Sequence, residues 1–191
     1  QEELDKFKTG IKTVASDVVE DLREASNGRM RQEKFLELYG HLRPGTYDIT
    51  SKRYEDMNQV LFSNNLNYKK DEKFKTNDFI FSKEQIMAIE KLIYKAGNPW
   101  ESVDDFINYV KKAIQGREYG KYVFTKNVSN ILEKVALIGS NYGLNRDELA
   151  HISLENILEI YNKATSLKPK IFLKELSKKG RRSNNLTNAI K

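Results

Sequence analysis

Two short runs of the sequence gather reactive side chains. The first is Tyr39-Gly40-His41-Leu42-Arg43-Pro44-Gly45-Thr46-Tyr47-Asp48-Ile49-Thr50. It sets an imidazole, a guanidinium, two phenols and a carboxylate around an Arg-Pro-Gly turn. Pro44 fixes its own φ and pushes Arg43 away from the helical region, and Gly45 can take positive φ. A rigid turn holds polar side chains in fixed directions, as a ligand site requires. Arg43 could then grip an anion through both arms of its guanidinium. The alternative is a self-satisfied turn in which Asp48 pairs with Arg43 or Arg53. Residue types alone leave both readings open.

The second run is Gly116-Arg117-Glu118-Tyr119-Gly120-Lys121-Tyr122-Val123-Phe124-Thr125-Lys126-Asn127. It is too polar and too aromatic for a plain core helix. Arg117, Lys121 and Lys126 could line an anion-binding face, since positions four apart share one side of a helix. The alternative is an exposed face, with Arg117 and Lys121 paired to Glu118 and solvent.

Other chemistry finds no support in the residues. The two histidines, His41 and His151, are far apart in sequence, and the chain has no Cys. That removes thiolate metal sites and disulfides, and nothing in the spacing builds a two-histidine metal site. No Walker-type loop and no nucleophile elbow is present. Asp104-Asp105 sits where a helix start would favour carboxylates through the dipole alone.

Both runs resemble segments of the family that holds phosphoenolpyruvate synthase and rifampin phosphotransferase. Phe35-Leu36-Glu37-Leu38 leading into Tyr39–Ile49 is similar to one segment of such proteins. Arg117-Glu118-Tyr119, Phe124-Thr125-Lys126-Asn127 and Gly143-Leu144-Asn145-Arg146-Asp147-Glu148-Leu149 are similar to a later one. The likeness covers about residues 30 to 165. It implies a transferase of the kinase type that passes phosphate from ATP, with Mg, through a histidine on a swivelling domain to an acceptor. This chain has neither the ATP-binding domain nor the small-residue Ser-His motif of the phosphohistidine domain. The resemblance therefore implies the helical middle piece, a substrate-binding or linker domain that binds no cofactor itself. Its partners would be those two domains and a small-molecule acceptor. His41, Arg43, Tyr47 and Asp48 would face the acceptor or a neighbouring domain. Arg117, Lys121 and Lys126 would attract the phosphate or the swivelling domain. Arg43→Ala is then expected to abolish transfer and leave the piece folded. The family turn often reads Gly-His-Arg-Gly-Pro, whereas here it is Gly-His-Leu-Arg-Pro-Gly-Thr, so the acceptor's identity does not transfer. A helical protein-interaction module without ligand is the alternative.

The elements that must position these runs are helical. Leu4, Phe7, Ile11, Val14, Val18 and Leu22 alternate in steps of three and four, predicting one helix that Asn27-Gly28 stops. Met30 to Tyr39 predicts a second, ending at Gly40. Residues 63 to 78 predict a polar surface loop. Ser82 to Gln85 has capping-box spacing before a helix that ends at Gly97-Asn98-Pro99. Ser102 is the next expected N-cap, with Gly116 and Gly120 expected to kink the run or start a new helix. Asn145 and Ser153 are further caps, and Pro169 suits a last first turn. Residues 180 to 188 are expected to fray. The fold class is all-α, an irregular bundle of about seven helices, with a helical domain over 1–166 and a basic helix and linker over 167–191.

Charge and composition bound the rest. The 191 residues carry 33 Lys+Arg against 27 Asp+Glu, a net +6. Lys168 to Lys191 holds eight of these cations and one acid, Glu175, so that segment alone exceeds the whole chain's +6. A near-neutral body with one basic tail, and no nucleic-acid motif, points away from nucleic acid. No apolar run reaches the ~20 residues of a membrane span. A reducing cytoplasm is the expected location, and a start at Gln1 is expected of an excised fragment.

Overall fold

Capping chemistry and apolar spacing together set where the helices begin and what they bury. In the computed structural model the described residues are 11–63, 80–97, 100–162 and 168–190. Among them are eight α-helices, one 3-10 turn and no strand. The helices are α1 (Val14–Ser26), α2 (Gln32–Tyr39), α3 (Asn58–Ser63), α4 (Lys83–Lys95), α5 (Val103–Asn141), α6 (Arg146–Leu149), α7 (Leu154–Asn162) and α8 (Pro169–Ile190), with the 3-10 turn at Glu55–Met57.

The chain forms two compact units. The first takes Gln1–Phe35 and Phe62–Val123; the second takes Leu36–Leu61 and Phe124–Lys191. The domain boundary expected at 166/167 falls outside the described residues, as do Leu4, Phe7 and most of the expected 63–78 loop.

In the first unit, α1 starts at Val14 rather than running unbroken from residue 4. Thr13 is its N-cap, and Thr13 and Ser16 close a reciprocal capping box. Each satisfies a backbone N–H that the first turn leaves orphaned. Ile11, Ala25, Phe35 and Val103 are buried, and Phe35 meets Phe62 edge-to-face at 5.7 Å. Trp100 stacks with Tyr109 at 4.5 Å between ring centres. Ser82 and Gln85 form the expected capping box of α4. Ser102 Oγ accepts the Asp105 N–H at 3.1 Å, the expected cap of α5.

The core of the second unit gathers Ile49, Val135, Leu144, Leu149, Ile157 and Leu173. These come from the loop after α2 and from α5, α6, α7 and α8. Gly143, at φ +72°, ends α5 in the left-handed conformation that glycine takes without strain. Asn145 then caps α6 in the expected box with Glu148.

Two expectations are corrected here. Gly116 and Gly120 do not start a new helix: α5 runs through both for 39 residues. Each costs helix propensity of about 1 kcal/mol, too little to break so long a cooperative run. Residues 180 to 188 are helical, because α8 continues to Ile190.

Candidate functional site

The loop after α2 belongs to the second unit and folds back on itself. Tyr54 N–H donates to Leu42 O at 2.8 Å and Glu55 N–H to Gly40 O at 3.2 Å, pinning both ends of the excursion. Within it, Asp48 N–H donates to Gly45 O at 3.0 Å and Ser51 N–H to Asp48 O at 3.2 Å. Gly45 N–H donates to Ser51 Oγ at 3.2 Å. Gly45 does not use the positive φ open to glycine. Its need for glycine is steric: a Cβ there would stand 2.9 Å from Asp48 Cβ.

Arg43 fills the inside of this loop, with a side chain 1% exposed. Its Nη1 donates to Asp48 O at 3.3 Å and Ser51 O at 3.1 Å. Its Nη2 donates to Ser129 Oγ at 3.0 Å and Glu133 Oε1 at 2.9 Å. The guanidinium thus ties the loop to α5, and both terminal nitrogens already serve protein acceptors. This arrangement opposes the expectation that Arg43→Ala leaves the chain folded.

Sequence reasoning missed the two partners on α5. Ser129 is 2% exposed. Its hydroxyl donates to His41 O at 2.7 Å and accepts from both Arg43 and Arg53, the latter at 3.0 Å. Glu133 lies one helical turn further along. Its Oε2 accepts Arg146 Nη2 at 2.6 Å, and its Oε1 accepts Arg146 Nη1 at 3.1 Å besides Arg43. Arg53 Nε stands 3.7 Å from the same oxygen. The only signal was the four-residue spacing of Ser129 and Glu133, which places both on one helix face. Arg146, named from sequence only within the resembling segment 143–149, also donates to Ile49 O at 2.9 Å. The Arg146 pairing, ahead of that from Arg43, holds the Glu133 carboxyl below its ordinary range against the opposing effect of burial.

The cluster is close to neutral. Arg43, Arg53 and Arg146 face Glu133, while Glu55 accepts Arg53 Nη1 at 2.6 Å and Asp56 Oδ2 accepts the Arg53 N–H at 3.3 Å. Two carboxylates, Glu133 and Glu55, bond the guanidiniums directly, and the Asp56 charge also acts on Arg146.

The other expected residues fall around it. His41 is buried, and burial, then Lys126 and Arg53, lower its pKa, so the ring stays neutral at pH 7. Asp48 pairs with neither arginine through its carboxylate. Its Oδ1 accepts Thr50 N–H at 2.8 Å and Thr50 Oγ1–H at 2.7 Å, and those bonds lower its pKa. Tyr47 is 72% exposed at the tip. Lys126 is exposed in the second unit, while Arg117 and Lys121 are exposed in the first. Arg117 Nη1 lies 3.6 Å from Glu118 Oε1. The structure therefore gathers His41, Arg43, Tyr47 and Asp48 on one loop, with the first two facing inward.

Beside the cluster, a shallow open groove is lined by Glu133, Ala136, Leu137, Ser140, Leu144, Asn145 and Arg146. Among the described residues no group of three or more His, Asp or Glu side chains could hold a metal ion. No described helix is long and apolar enough to cross a membrane. No family model, curated protein or solved structure matches the chain.

Proposed function

We propose that this chain is a non-catalytic helical linker domain of a multidomain phosphotransferase resembling phosphoenolpyruvate synthase. The parent would pass phosphate from ATP through a histidine on another domain to an acceptor. ATP and Mg would be held by the ATP-binding domain. The observation that carries the linker role over acceptor binding is the state of Arg43. A residue that grips a ligand anion needs free donors facing solvent, and Arg43 is 1% exposed with both terminal nitrogens bonded to protein. The loop is then a joint that fixes the chain between α2 and α5. The groups left to meet a neighbouring domain are the exposed ones: Tyr47, Asp48, Arg117, Lys121 and Lys126.

The test is phosphate transfer by the intact parent, with ATP labelled at the β and at the γ position and candidate acceptors that include pyruvate. Label on a protein histidine and then on an acceptor supports the reading. ATP left unconsumed, with no phosphohistidine, overturns it. A second reading, a protein-interaction module without ligand, rests on the exposed apolar side chains of α4, where Met87 is 59%, Leu92 66% and Tyr94 87% exposed.

A further inference from the structure

The last helix changes character along its length. Through its first three turns α8 is packed: Leu173 is fully buried, Ser177 is 5% exposed and its hydroxyl donates to Glu148 O at 2.8 Å. Gly180 completes this seam, where a Cβ would run into the His151 carbonyl. From Arg181 to Ala189 every residue is exposed, and the backbone stays helical. Residues 178–189 thus form a helical arm whose outer part is open to solvent all round.

The arm's chemistry is one-sided. Lys178, Lys179, Arg181 and Arg182 are all exposed, no acid follows Glu175, and Asn184 and Asn185 continue the run. Lys170 and Lys174 extend it backwards at four-residue steps. Residues 170 to 182 cover about 18 Å of helix axis. A DNA duplex sets one phosphate charge every ~1.7 Å of its own axis. An α-helix with side chains is about 10–12 Å across, which the ~12 Å major groove of B-form DNA admits. The narrow major groove of A-form RNA does not.

Other surfaces fit less well. A protein interface is centred on buried aromatic and apolar anchors, and the arm's one large apolar side chain among described residues is Leu186, 67% exposed. A membrane-surface helix needs a continuous apolar face, which these residues do not build.

Against the expectation drawn from charge distribution and motifs, and because the basic segment is an exposed helix, we infer that the arm of residues 178–189 is a sequence-independent contact for double-stranded DNA, with Lys178, Lys179, Arg181 and Arg182 neutralising phosphates. The inference is independent of the phosphotransferase reading, and the transfer assay bears on that reading alone.

The experiment titrates a short fluorescent DNA duplex with the chain and reads anisotropy over a range of salt. The expected slope of log K against log salt is about −4, near −0.9 for each phosphate neutralised. Replacing Arg181 and Arg182 by Gln is expected to reduce it to about −2. The fourfold Gln variant, which also changes Lys178 and Lys179, is expected to keep its helical circular dichroism and lose binding. Unchanged binding by that folded variant overturns the inference. So does equal affinity for polyglutamate or anionic vesicles, which would assign the arm to an acidic protein or a lipid surface. Equal affinity for an RNA duplex overturns the groove fit.

Discussion

Glu133 Oε1 accepts Arg43 Nη2 at 2.9 Å and Arg146 Nη1 at 3.1 Å, so one carboxylate oxygen joins a loop residue and a helix residue to α5. Arg43 reaches it from the loop after α2, and Arg146 from the first turn of α6. Each arginine also holds loop carbonyls, Asp48 and Ser51 for the first and Ile49 for the second. The loop 43–51 is thereby fastened from inside, and Ile49 is placed in the apolar core of the second unit.

Removing the carboxylate should therefore loosen the loop as a whole. Glu133→Ala leaves the buried Arg43 charge without its counterion, a change that costs 3–5 kcal/mol for fully buried pairs. Glu133 keeps 29% side-chain exposure, so the expected loss lies at the low end, about 3 kcal/mol. Glu133→Gln keeps an acceptor and should lose less. Urea unfolding checks this, and a midpoint equal to that of the parent sequence in both variants would remove Glu133 as the fastening point.

The same carboxylate sets an acid limit. Its folded pKa lies below the ordinary 4.5, chiefly through the Arg146 hydrogen bond. A lowered carboxylate pKa means that the unfolded chain takes up the proton first. The contribution is complete above pH 4.5 and is lost as pH falls through the folded value. The stability difference between the parent sequence and Glu133→Gln should thus hold steady at neutral pH and shrink in acid below 4.5. Paired urea titrations across that range measure it, and a difference that grows in acid contradicts the assignment.

Much of the helical frame was legible because its signals are local. Thr13 was the exception: the apolar stripe ran through it, and only the pairing of its hydroxyl with Ser16 reveals the boundary. Ser82, Ser102 and Asn145 declare their helices within four residues, and the structure finds caps at all three. The site was legible in part. The Arg-Pro-Gly-Thr run marked a turn, yet whether Arg43 faces solvent or core depends on Ser129 and Glu133, far along the chain. Neither of those residues carries a motif. The helicity of α8 beyond Gly180 was likewise hidden, since Asn, Ser and Thr favour caps and turns over helix interiors.

Arg43 and Tyr47 should separate fold from contact. Arg43→Ala empties the inside of the loop and leaves Glu133 and the Asp48 and Ser51 carbonyls short of a donor, an expected loss of about 3–5 kcal/mol. Arg43→Lys should not restore it, because one ammonium cannot reproduce the forked geometry. Tyr47→Ala, at a tip 72% exposed, should stay within about 0.5 kcal/mol. Thermal melts of the three variants decide the matter. A stable Arg43→Ala would return Arg43 to the list of ligand-facing groups.

His41 should titrate below its ordinary 6.5. Burial is the leading cause, and Lys126 and Arg53 push the same way, opposed by Glu55. Because the folded ring resists the proton, its stabilising contribution is complete above pH 6.5 and is lost progressively as pH falls from there to the folded value. Lys126→Ala removes one of the opposing charges and should raise the His41 pKa toward 6.5 without changing burial. Imidazole proton shifts followed by NMR give both values. A His41 pKa at or above 6.5 in the unsubstituted chain contradicts the buried, neutral ring.

Three glycines in helices should respond to alanine with opposite signs. At Gly116 and Gly120 an added Cβ meets nothing within 4 Å, so only helix propensity acts. Each Gly→Ala change there should stabilise α5 by about 0.5–1 kcal/mol. At Gly180 the added Cβ would collide with the backbone carbonyl of His151, which has no flexible end to give way. The gain in propensity is then outweighed by overpacking, typically about 1–3 kcal/mol, as α8 is forced off the segment between α6 and α7. Gly180→Ala should lower the melting temperature while the two α5 variants raise it. A stabilising Gly180→Ala would mean that α8 leaves the body before Gly180, and the buried Ser177 would then be the residue to examine, through the loss of its bond to Glu148 O.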